Sequence, residues 1–305
     1  MVGRITTQMT SNQVLQNINS LQDQLDTTEE QLSTGKTINQ PSDNPYGASL
    51  AVQLNTTLSG LSDYNNNITD GTAWTSAAST ALENIQSMVQ RVQSLVTEAA
   101  NGTNSATDLS SIGDEVTQLT ESIKQAANTQ YNGQYIFSGT ATQTAPYSDA
   151  TGDVYQGNTG TISREIGPNS EVQVNANLSS VLGSGESAND GGLLDTLDQI
   201  SADLQGGTTA DVADLSNNQL TNLSTNLNSL EGVQANIGAT QNRLTQASTT
   251  IQSLQTSDTT ALSNDEDANM AATYTNYSNE SAAFEAALKA GADIVQSSLM
   301  DFLSN

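Results

Sequence analysis

The chain has 305 residues, with seven Lys plus Arg against 33 Asp plus Glu, a formal net charge of −26, and neither His nor Cys. Without imidazole or thiolate there is no His base, no Cys nucleophile and no ordinary zinc site, which removes most catalytic designs. Such a charge repels nucleic acid and anionic lipid, and no run of 18 apolar residues occurs, so neither nucleic-acid binding nor membrane insertion is expected.

Val14, Ile18, Leu21, Leu25 and Leu32 recur at spacings of four, three, four and seven, with Thr28 in the remaining heptad place. This predicts an amphipathic helix over residues 12–35, begun by Ser11 or Asn12 and ended by Gly35. Pro41-Ser42-Asp43-Asn44-Pro45 then breaks the chain and restarts it. Asp43 or Asn44 can cap the next helix, with Pro45 at the first helical position, where a missing N–H costs nothing. From there one register predicts a long helix over residues 46–100. Leu54, Leu61, Ile68, Leu82, Val89 and Val96 hold one heptad place, and Tyr64, Ala78, Ile85, Val92 and Ala99 the other. Asn101-Gly102 stops it. A third helix, capped between residues 105 and 108, carries Leu109, Val116 and Ile123 and returns antiparallel to Asn132-Gly133.

Between residues 135 and 177 the period falls to two. Tyr135-Ile136-Phe137 reads as a strand, and residues 161–166 and 171–174 read as a hairpin around Gly167-Pro168-Asn169. That is too little sheet to stand alone. After a polar linker over residues 183–192, Leu193, Leu197, Ile200 and Leu204 predict a short helix ended by Gly206-Gly207. A second long rod carries Leu223, Leu230, Ile237, Leu244 and Ile251 at intervals of seven. The cluster Asp265-Glu266-Asp267 interrupts it and suits the start of a helix electrostatically. The last helix carries Phe284, Leu288, Val295, Leu299 and Phe302 on one face.

The expected fold is mainly α: a long antiparallel helical bundle with paired N- and C-terminal coiled-coil-like helices and a small inserted β domain. Residues 1–42 with 266–305 form a terminal helical domain, residues 43–140 with 191–265 the long-helix bundle, and residues 141–190 the β insertion. Asp149, Asp153, Asp190, Asp195 and the Asp265-Glu266-Asp267 cluster lack the alternating spacing of a calcium loop, and no carboxylate pair stands out as a hydrolase site. No catalytic residue, metal or cofactor is therefore expected. An acidic carboxylate hydrolase or a calcium-binding secreted protein is the alternative from another class. Trp74, the single Trp, reads as core.

Several stretches resemble the bacterial flagellin superfamily: residues 31–39, Gln90-Arg91-Val92, residues 98–103, Asp265-Glu266-Asp267-Ala268 and residues 298–303. Pro41-Ser42-Asp43-Asn44-Pro45-Tyr46-Gly47-Ala48, residues 128–139 and the ending Asp301-Phe302-Leu303 resemble the superfamily's hook–filament junction branch, with Asn44 where that pattern has a second Asp. The resemblance implies a structural protein of the flagellum, extracellular and exported without a cleaved signal peptide; the first nine residues lack an apolar leader core. It implies terminal helices that are disordered in the monomer and order on assembly into a ring at the hook–filament junction. The implied partners are further copies of the chain, the other hook–filament junction protein, flagellin, and the flagellar export apparatus with an export chaperone. A filament subunit, flagellin itself, is the alternative within the family.

Overall fold

The computed structural model describes residues 7–101, 103–148 and 154–303, with side chains from 9 to 293. The chain divides into two units, residues 61–253 and a terminal unit of residues 1–60 with 254–305. Helices α2 (Pro45–Ala100) and α7 (Leu220–Glu266) contribute to both.

The unit of residues 61–253 is built on heptad faces. From α2 it buries Leu61, Ile68, Leu82, Val89 and Val96, and from α7 Leu223, Leu230, Ile237, Leu244 and Ile251. An apolar residue at every seventh position stays on one side of a helix, because seven residues make nearly two turns. Helix α3 (Ala106–Ala127) adds Leu109, Val116 and Ile123 to the same core. Its start is fixed by a reciprocal cap: Ser105 accepts from the Asp108 amide, and the Asp108 carboxylate accepts from Ser105. Trp74 is fully buried, edge-on to Tyr131 with ring centroids 6.1 Å apart, and its indole N–H has no protein partner.

The β content is two separate antiparallel pairs. Strands β1 (Gln130–Tyr131) and β2 (Gln134–Tyr135) are joined by Asn132 and Gly133, both with positive φ, as the twist of a tight hairpin requires. The expected strand at residues 135–137 is thus shorter: Ile136 and Phe137 leave the ladder and are buried as core instead. Strands β3 (Ser163–Gly167) and β4 (Ser170–Gln173) turn through Pro168 and Asn169. Ile166, Val172 and Val174 pack into the helical core, which supports a sheet too small to stand alone. After the single turn α4 (Ser179–Leu182), α5 (Leu193–Gly206) packs on α3 and ends at Gly207 in the left-handed conformation. Helix α6 (Thr209–Asp214) runs into a π-helical turn, Leu215–Gln219, that leads into α7.

At that π turn the buried Gln219 amide donates to Asp214 Oδ2 at 2.8 Å and lies 3.4 Å from Asp203 Oδ2. Desolvation, then the Asp214 charge, pushes the Asp203 carboxyl up to about 6. The scarce cations serve as ties between segments. Arg91 pairs with Glu115, the buried Lys124 with Glu121 and Glu186, and Arg164 with Asp70, while Arg243 donates to the Glu171 carbonyl.

Asp190 and Asp195 also serve the backbone. Asp190 accepts from the amides of Ser184 and Gly192, and Asp195 from those of Asn189 and Gly191. Asp149 and Asp153 lie outside the described residues. Among the described residues no group of three or more acidic side chains is placed to share a metal, and no helix is long and apolar enough to cross a membrane.

Candidate assembly seam

The terminal unit pairs helix α1 (Thr7–Thr34) with helix α8 (Met270–Leu303). Their direction is antiparallel: Thr28 meets Glu280, whereas a Cβ added at Gly291 would lie 3.3 Å from both Val14 Cγ1 and Ile18 Cδ1. On α1 the partly covered apolar residues are Val14, Ile18, Leu21, Leu25 and Leu32, with Thr28 buried among them. The Thr28 hydroxyl donates to Glu280 Oε2 at 2.6 Å and also lies 2.9 Å from the Gln24 carbonyl. A polar pair at one level of an apolar seam favours one axial register over its neighbours.

On α8 a covered row runs Thr273, Tyr277, Glu280, Phe284, Ala287 and Gly291, spaced four, three, four, three and four, with Ser281 beside Glu280 also partly covered. Phe284 therefore faces α1. Leu288 does not; it is 47% exposed, and Ala287 beside it takes the covered place. Small residues at 287 and 291 let the α8 backbone come close to Val14 and Ile18. Val295, Leu299 and Phe302 lie outside the described side chains.

The turn after α1 explains its residues one by one. Asp43 Oδ2 accepts from the amides of Asn39 and Gln40 at 3.0 and 2.8 Å, which closes the loop. Asn44 Oδ1 accepts from the Gly47 amide at 3.0 Å, so Asn44 is the cap and Pro45 opens α2. An Asn at this place supplies the same acceptor as an Asp. Gly47 is required by space: a Cβ there would lie 2.5 Å from Ile38 Cδ1. Pro41 and Ser42 are exposed.

This loop is clasped to the break between α7 and α8. The Thr37 amide donates to the Glu266 carbonyl at 2.6 Å, the Ala268 amide to the Gly35 carbonyl at 2.8 Å, and Lys36 Nζ lies 2.6 Å from Glu266 Oε2. Gly35 holds the left-handed conformation that ends α1. The acidic cluster sits differently from its sequence expectation. Asp265 and Glu266 end α7, where negative charge is unfavourable and Lys36 offsets it, and α8 is capped by Asn269, whose Oδ1 accepts from the Ala272 amide. Neither Lys36 nor Asn269 stands out by sequence pattern, because the partners of Lys36 lie about 230 positions away.

Among the described residues, the most exposed large apolar side chains gather in the terminal unit: Met9, Leu15, Tyr46, Val52, Leu254, Met270, Tyr274 and Leu288, with Val154 alone in residues 61–253.

Residues 5–142 match the bacterial flagellin N-terminal helical region. Over these residues, under half of the chain, the sequence is similar to that family. Flagellar hook-associated protein 3 of Salmonella typhimurium is 35% identical over 155 residues, covering 50% of this chain and 49% of that protein. The Escherichia coli K12 protein of the same name is 34% identical over 164 residues, covering 53% and 51%. Flagellin of Salmonella derby is 37% identical over 123 residues, covering 40% and 24%. The chain thus spans about half the length of its hook-associated relatives. The fold is that of Bacillus cereus FlgL (TM-score 0.56, 22% identity, covering 70% of this chain and 99% of that one) and of Legionella pneumophila hook-associated protein 3 (TM-score 0.60, 16% identity, covering 70% and 98%).

Proposed function

We propose that the chain is a structural adaptor of the bacterial flagellum, assembling as a ring at the hook–filament junction on which flagellin polymerises. It works as a scaffold part and not as an enzyme. The observation that carries this reading is the gathering of exposed apolar side chains in the unit built from the two chain ends. A unit that leaves Leu15, Tyr274 and Leu288 in water gains by burying them against neighbours. The longer match to hook-associated protein 3 than to flagellin supports the junction over the filament.

The partners in this reading are further copies, the other junction protein and flagellin. Delivery through the flagellar export apparatus, with a chaperone, belongs to the same proposal. The terminal pair orders on assembly, because a two-helix pair alone buries little apolar area against its ordering entropy. Hydrogen exchange of residues 1–40 and 270–305 is then fast in the free chain and slow in the assembly; equal protection in both states contradicts that ordering.

Immunogold labelling of whole flagella tests the function. A narrow band where hook meets filament is the expected result. Label along the whole filament identifies a flagellin, and no label on any flagellum overturns both.

A further inference from the structure

A cleft within residues 61–253 is lined by polar groups that the fold itself does not use. Its volume is about 470 Å³, and it lies between Thr75 of α2, the segment after β4 and the middle of α7. Small-ligand sites run from roughly 300 to 1,000 Å³. The buried Val174 and Ile237 supply its apolar lining. One wall is fixed. Asn175 accepts from the Ile162 amide and donates to the Gly160 carbonyl, both at 2.8 Å, and Asn177 Oδ1 accepts from the Ser179 amide at 2.8 Å. Little of that wall needs ordering when a ligand enters.

The groups left unpaired are a mixed set. Asn177 keeps its Nδ2, and Gln173 keeps its Oε1, since its Nε2 donates to the Asn175 carbonyl. Among the described residues neither the Asn236 amide nor the Thr240 hydroxyl has a side-chain hydrogen bond. Thr245 and Thr249 on the same helix instead donate back to carbonyls four residues earlier. Donors and acceptors side by side match hydroxyl groups, which do both. Arg243 adds a cation. Lys36, Arg91, Lys124 and Arg164 are each held by a carboxylate, whereas Arg243 meets only the Glu171 carbonyl, at 3.3 Å from Nη2. Its fork can still take a carboxylate. The chain has 33 Asp plus Glu, yet neither an acidic nor an aromatic residue lines the cleft. A cation would meet no carboxylate there, and a nucleobase no ring to stack on.

We infer that this cleft binds an acidic sugar, with Arg243 on the carboxylate and Gln173, Asn177, Asn236 and Thr240 on the hydroxyls. The net charge of −26 opposes any anion from a distance. Salt at about 0.15 M screens that repulsion beyond about 8 Å, so the groups at contact, a guanidinium and neutral amides, decide.

Ligand-detected saturation-transfer NMR on the full chain, titrated with glucuronate in about 0.15 M salt, tests the site. Saturable, millimolar binding of glucuronate is expected. Glucose, which lacks the carboxylate, and acetate, which lacks the hydroxyls, should bind about tenfold or more weakly. Arg243→Gln lowers the affinity for glucuronate about tenfold and leaves that for glucose unchanged, whereas Asn236→Ala weakens both about threefold. No saturable glucuronate signal, glucose or acetate binding as tightly, or an Arg243→Gln variant that binds glucuronate like the parent overturns the inference. Both positions are exposed on α7. Should Arg243→Gln melt below the parent, Thr240→Val reads the same cleft: weaker binding of both sugars supports the site, and unchanged binding overturns it.

Discussion

Replacing Lys36 with Met tests whether the clasp between the two breaks of the terminal unit is electrostatic. The lysine side chain is 48% exposed and that of Glu266 only 11%. An exposed ion pair contributes about 0.2–1 kcal/mol. Here the loss of Lys36 also strands a nearly buried carboxylate, at about 1–3 kcal/mol. That carboxylate sits at the C-terminal end of α7, where the helix dipole adds about 0.3–1 kcal/mol of repulsion. Discounted for the half-exposed lysine, the expected loss is about 2 kcal/mol. Glu266→Gln removes the ion pair and the dipole repulsion together, so it costs about 1 kcal/mol or less. The double variant should match Glu266→Gln alone. Hydrogen exchange at the Thr37 and Ala268 amides in the assembled chain reads the clasp directly, since both donate across it. Lys36→Met is expected to speed their exchange by about 30-fold, the factor that corresponds to 2 kcal/mol. Equal effects of the two single variants, or an unchanged Thr37 amide in Lys36→Met, would refute the electrostatic account and leave the backbone bonds as the whole clasp.

At the head of α2, Asn44→Ala should lower the stability of the terminal unit by about 1 kcal/mol in thermal melts, whereas Asn44→Asp keeps the acceptor and stays near the parent. Asp203 gives a pH signature. Its folded carboxyl is raised to about 6 from an ordinary 3.8, so the folded state holds the extra proton in that window and stability falls as pH rises through it. Asp203→Asn should therefore raise the melting temperature at pH 7.5 and have little effect at pH 5; the same difference at both pH values contradicts the assignment. Leu25→Asp places a charge in the α1–α8 seam and should leave residues 61–253 folded by circular dichroism while blocking incorporation into flagella. Normal incorporation rules out a seam at Leu25. Phe302→Asp, at the other end of the proposed stripe, is expected to behave alike.

Much of this architecture was legible in the sequence because it depends on local chemistry. The steps of seven from Leu223 to Ile251 mark one face of a helix whatever packs on it, and those residues are the buried face of α7. Asn44, Ser105 and Gly207 act at helix ends through their own short side chains or a left-handed backbone, which needs no distant partner. The stripe from Val14 to Leu32 was equally plain. What lay against it was not. Hydropathy ranks Leu288 above Ala287, but the approach of α8 to Val14 and Ile18 uses the small side of the helix, Ala287 and Gly291, and turns Leu288 to the flank. The same holds for Thr28 with Glu280 and Lys36 with Glu266, pairs separated by 252 and 230 positions. A periodicity says that a face will be covered. Only the partner's shape and charge, brought close by the fold, decide which neighbouring residues cover it and which are left for another molecule.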